Sequence, residues 1–65
     1  MSTTTAELLN DAVYKRRIMW TDLSARIVKN DGCSKNEADE MVARLIKRES
    51  VTLGVAVALI DLIVE

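Results

Sequence analysis

The chain carries no proline and only two glycines, at positions 32 and 54. Proline and glycine are the residues that interrupt helices, so almost nothing here can stop one once it starts. Strand-like alternation is absent, while apolar residues recur at spacings of three and four. That pattern predicts an all-α chain: a small bundle of four or five helices forming a single helical domain over residues 1–65, with residues 1–4 frayed.

The helix boundaries follow from capping chemistry. Thr4 with Glu7 three residues later is a capping box that opens a first helix. Leu9, Val13 and Tyr14 give that helix an inner stripe, with Leu8 and Ala12 alongside, and Lys15, Arg16 and Arg17 sit at its negative end. Thr21 is the expected N-cap of a second helix, with Asp22 in its first turn and Leu23, Ile27 and Val28 on its buried face. Gly32 ends it, because a left-handed terminating residue is cheapest without a Cβ.

Ser34 and Glu37 form a second capping box, opening a third helix. Ala38, Met41, Val42, Leu45 and Ile46 are its expected buried stripe, and Asn36, Glu40, Ala43 and Lys47 fall on the opposite face. Arg44 lies beside that face, with Asp39 and Arg48 near its two edges. A fourth helix follows Ser50 or Thr52 and is apolar nearly all round. A helix without a wet face needs cover on most sides. Leu53, Val57, Ile60 and Val64 are therefore expected at a subunit interface, with a C2 homodimer the default geometry.

Several function classes lack their chemistry. Cys33 is the sole cysteine and there is no histidine, so neither an internal disulfide nor a zinc site can be built, and no metal or cofactor is expected. The lone thiol fits a reducing, cytoplasmic setting. Cys33 precedes the positive end of a helix, but no histidine is present to act as its base. No glycine-rich phosphate loop occurs. A non-enzyme is expected. The first residues lack the features of a signal peptide. The apolar run from Val51 is too short to span a bilayer, and Asp61 interrupts it, so no membrane association is expected.

Two helices around a glycine turn suggest a helix-turn-helix, in which the second helix of the pair enters the major groove of duplex DNA. Placed on that template, Ser34, Lys35, Asn36, Asp39, Glu40 and Ala43 would meet base edges, with Asn36 able to pair adenine in bidentate fashion. Arg44, Lys47, Lys29 and Lys35 would take phosphates, and Lys15, Arg16 and Arg17 could add a positive rim. The net charge of −1 gives no global attraction to DNA, so such binding has to rest on local clustering. The competing expectation is a protein-interaction module, such as an anti-repressor, an inhibitor or a phage-borne adaptor. It would meet a basic partner through Glu37, Asp39 and Glu40 and dock its last helix in a groove. A purely structural oligomerisation unit is a third.

The order of "YKRRIMWTDLSARIVKNDG", "SKNEADEMVARLIKRES" and "VTLGVAVALIDLI" resembles small bacterial helix-turn-helix proteins of unknown function, related in outline to the Cro and lambda repressor fold. The shared features are Lys15 and Arg16 before Met19, Thr21 with "DLSARI", Gly32 at the turn, Glu37, and Arg48 ahead of the last helix. The chain departs from that pattern at Glu49, where glycine is usual, in lacking aromatic residues from the last helix, and in a longer segment from Leu23 to Gly32. The resemblance implies a four- to five-helix repressor-like domain that binds DNA through its second and third helices. With the capped helix pair and the positive cluster at 44–48, it leads to the expectation of a dimeric regulator of transcription that binds a short palindromic operator.

Overall fold

Four helices follow one another in the structure, a computed structural model that describes residues 4–65: α1 (Thr5–Lys15), α2 (Trp20–Asp31), α3 (Lys35–Ile46) and α4 (Leu53–Val64). Three of the four begin as the capping chemistry predicts. The Thr4 hydroxyl accepts from the Glu7 amide, Ser34 from the Glu37 amide and Thr52 from the Val55 amide, each at 3.2 Å. Thr4 therefore anchors α1, and only residues 1–3 of the expected frayed segment lie outside the described residues. Between the two candidates for the start of α4, the hydroxyl in use is that of Thr52.

α2 departs from expectation. It starts at Trp20, one residue ahead of Thr21, and Met19 stands at the N-cap with no side-chain bond to offer. Packing decides this start: Trp20 in the first turn is partly buried against the core, which outweighs a hydroxyl cap. At the other end Gly32 adopts φ 68° and its amide bonds the Val28 carbonyl, as the left-handed terminus requires.

α1 and α3 end in the same way as each other, and without glycine. Past α1, the Arg17 amide bonds the Tyr14 carbonyl and the Ile18 amide the Val13 carbonyl. Past α3, the Arg48 amide bonds Leu45 and the Glu49 amide bonds Arg44. Both are Schellman turns, and the left-handed position is filled by Arg17 (φ 55°) in one and Arg48 (φ 60°) in the other. The residue in the glycine-favouring conformation is thus Arg48 and not Glu49.

All four helices feed one core, centred on Val13, Leu23, Ile27, Val42, Leu45, Val55 and Leu59. The expected stripes hold for α2 and most of α3. Tyr14, however, is 86 % exposed, and Leu8 and Ile46 also face outward. The inner face of α1 is centred on Ala6, Asn10 and Val13, which places Tyr14 about 80° round the helix from Ala6. Ile46 sits at a similar angle from Ala38 on α3. Asn10 accounts for the difference from the expected stripe. Its side-chain amide donates to the Ala6 carbonyl at 2.8 Å and, across the helix interface, to the Leu45 carbonyl at 2.6 Å. A polar residue thereby occupies a core-facing position with its donors satisfied.

α4 lies antiparallel to α2 along a polar seam. The Arg26 guanidinium donates to the Glu65 carboxylate, and the Asn30 amide to Asp61 at 2.8 Å. Further along, the Asp31 carboxylate lies over Gly54, where a Cβ would collide with it. Asp31 thereby supplies negative charge to the first turn of α4, which has no acid of its own. None of the helices among the described residues is long and apolar enough to cross a membrane.

Candidate nucleic-acid interface

Helix α3 meets α2 through Asp39. The Ser24 hydroxyl, itself buried, donates to one oxygen of Asp39 at 2.6 Å, and the Lys35 ammonium donates to the other at 2.7 Å. Those two bonds, that from Lys35 first and that from Ser24 second, hold the Asp39 carboxyl below its ordinary range. Asp39, expected among the base-reading residues, is instead a bracket between the two helices. Its oxygens are occupied within the fold.

The rest of the outward face of α3 stays open. Asn36, Glu40, Arg44 and Lys47 are exposed, as are Ser34 and Lys35 at its start, while Ala43 is half-buried. Lys29, near the end of α2, is exposed as well. Among the described residues, no other helix covers this face. Its charges, though, are largely matched on the helix itself: Lys35 with Asp39, and Arg44 with Glu40 at 3.0 Å, both at i,i+4 spacing. Exposed pairs of this kind contribute only about 0.3–0.5 kcal/mol each, so an incoming phosphate could break them at small cost. The Ser34 hydroxyl is taken by the Glu37 amide. Lys47 closes the helix as its C-cap residue.

Some other cations have no carboxylate partner among the described residues. Lys15 pairs with Asp11 at 3.0 Å and Arg26 with Glu65. Arg16 and Arg17 at the end of α1, Lys47 and Arg48 at the end of α3, and Lys29 do not pair. For Arg26, the bond to Glu65 keeps the guanidinium charged beyond its usual range.

The four residues expected at a subunit interface share one outward stripe of α4. Leu53 is 81 % exposed and Val64 79 %, with Val57 and Ile60 between them also exposed. The opposite side of the same helix carries Val55, Ala58 and Leu59 into the core. α4 thus turns one apolar face to the core and leaves another exposed among the described residues.

A further cavity lies away from the outward face of α3. It is an open groove of about 1090 Å³ between α1, the α1–α2 turn and Arg48. Reading the sequence did not find it, because its walls come from segments far apart in the chain. Family models, characterised proteins and solved structures provide no match to this chain.

Proposed function

We propose that this chain is a small DNA-binding transcriptional regulator. The α2–Gly32–α3 pair would act as its helix-turn-helix, and α4 would join two copies as a homodimer in the cytoplasm. The observation that carries the reading is the open outward face of α3, where Asn36, Glu40 and Lys47 remain exposed with Ala43 between them. A helix entering the major groove needs such a face free of its own neighbours, with small residues allowing close approach. Asn36 would read base edges. Lys29, Lys47, Arg16 and, after exchange of its Glu40 partner, Arg44 would take phosphates. The exposed Leu53–Val57–Ile60–Val64 stripe supports the dimer, as an apolar surface that a second copy related by a two-fold axis would cover.

The test is fluorescence anisotropy with duplex DNA over a salt series. Binding should weaken with salt by close to one log–log slope unit per phosphate engaged, about −0.9 each. Glu40→Lys should strengthen binding, since it removes an acid from the docking face and releases Arg44. No binding at low salt, or no response to Glu40→Lys, would retire the DNA reading.

One observation favours a second reading, a protein-interaction module. The exposed charges of α3 are paired on the helix, so the face presents hydrogen-bonding variety more than net positive potential. On that reading Glu37 and Glu40 would meet a basic protein partner and the α4 stripe would dock on it. Retention of a protein, with no nucleic acid, on the immobilised chain would select it.

A further inference from the structure

The groove between α1 and the α1–α2 turn brings apolar and cationic side chains together. Its lining combines exposed apolar groups, Leu8 at 57 % and Met19 at 61 %, with Tyr14, Trp20 and the two arginines 17 and 48. Among the described residues, these arginines are also the two non-glycine residues held at positive φ. Glycine would adopt that conformation without the roughly 1 kcal/mol or more that a side chain costs there. Strain of this kind marks positions where the side chain itself is wanted. Neither guanidinium pairs with a carboxylate among the described residues; Arg48 reaches only the Ile46 carbonyl, at 3.3 Å.

We infer that this groove docks an acidic amphipathic segment of a partner protein, whose apolar side chains seat on Leu8, Met19 and Trp20 and whose carboxylates pair with Arg17 and Arg48. Charge complementarity favours an acidic partner: two acids line the groove, Glu7 and Asp11, but Asp11 is paired with Lys15, so the uncommitted charges are Arg17 and Arg48 against Glu7 alone and sum to net positive. The apolar lining fixes its class. An amphipathic helix offers an apolar face for Leu8 and Met19 and carboxylates for the two arginines at once. Guanidinium forks bind carboxylates in bidentate fashion, and methionine adapts to varied apolar shapes. This inference stands apart from the DNA reading, which uses the outward face of α3.

Trp20 is the only tryptophan in the chain and lines the groove, so its fluorescence reports occupancy directly. The probe is a synthetic helical peptide of roughly twelve residues with leucines on one face and glutamates on the other. The controls are the same peptide with glutamine for glutamate, and a single-stranded oligonucleotide and a duplex of similar length. The acidic peptide should shift the Trp20 emission saturably, and the glutamine peptide should bind about tenfold more weakly. Arg17→Gly and Arg48→Gly should each weaken the acidic peptide by a similar factor while leaving the fold intact, because glycine keeps the left-handed turn and relieves its strain. A variant that melts higher yet binds less separates recognition from structure. Equal affinity for the two peptides, or binding that ignores both arginine substitutions, overturns the inference. So does saturable Trp20 quenching by an oligonucleotide with the same arginine dependence, which would assign the groove to nucleic acid.

Discussion

Asn10 is the side chain that ties α1 to the far end of α3, and two substitutions there separate what it contributes. Asn10→Ala removes the 2.6 Å bond to the Leu45 carbonyl. That carbonyl keeps a second donor, the Arg48 amide at 3.0 Å, so it is not left unsatisfied. The loss is then one net hydrogen bond, about 1 kcal/mol, offset by roughly 0.6 kcal/mol from the better helix propensity of alanine. Asn10→Asp keeps the shape but aims a carboxylate at the carbonyls of Ala6 and Leu45, near the negative end of the α3 dipole. With no donor and a partly buried charge, it should cost about 2–3 kcal/mol at neutral pH. In a domain this small, 1 kcal/mol corresponds to about 4–8 °C in Tm. Thermal melts followed by circular dichroism should therefore place the alanine variant a few degrees below the parent and the aspartate variant at least about 8 °C below it. Acid distinguishes the cause. The new carboxyl should have a folded pKa above its unfolded value, because protonation restores a donor. Its defect should thus be smallest below the unfolded value and grow as pH rises through the folded one. Comparing the two variants at each pH cancels every other titration. An aspartate variant no worse than alanine at neutral pH, or a gap that does not narrow on acidification, would refute the role assigned to Asn10.

Gly54→Ala should leave stability nearly unchanged despite a helix-propensity gain of about 1 kcal/mol, since the added Cβ displaces the Asp31 carboxylate from the first turn of α4. In an Asp31→Ala background the same change should recover most of that gain, and a urea double-mutant cycle reads the coupling directly. The lowered pKa of Asp39 means that its contribution is fully present above the ordinary aspartate value of about 3.9 and is lost as pH falls through the lowered folded value. Asp39→Asn should flatten that acid limb in pH-dependent melts. Ile60→Glu places a charge in the outer stripe of α4 without touching the core. If α4 joins two copies as proposed, light scattering should show the mass falling from dimer to monomer while helicity is kept, and an unchanged mass would count against the stripe as an interface.

Much of the architecture was written locally. Threonine and serine caps at Thr4, Ser34 and Thr52, a left-handed glycine at 32 and apolar residues at helical spacing fix where helices α1, α3 and α4 begin and where α2 stops. These are interactions between residues three or four apart, so a sequence displays them. The two-faced character of α4 was equally legible, because no rotation of that helix could hide all of its aliphatic residues. Tertiary structure alone decided the rest. Trp20 took the start of α2 away from Thr21 by packing on the core. Asn10 became an inner residue because a carbonyl 35 positions away stood ready to accept from it. Asp39 left the candidate DNA-reading set once Ser24 on the neighbouring helix claimed it. The groove around Trp20 brings Arg17 and Arg48 together from separate helix ends. In each case the deciding partner is distant in the chain, and periodicity carries no record of which distant polar groups will meet.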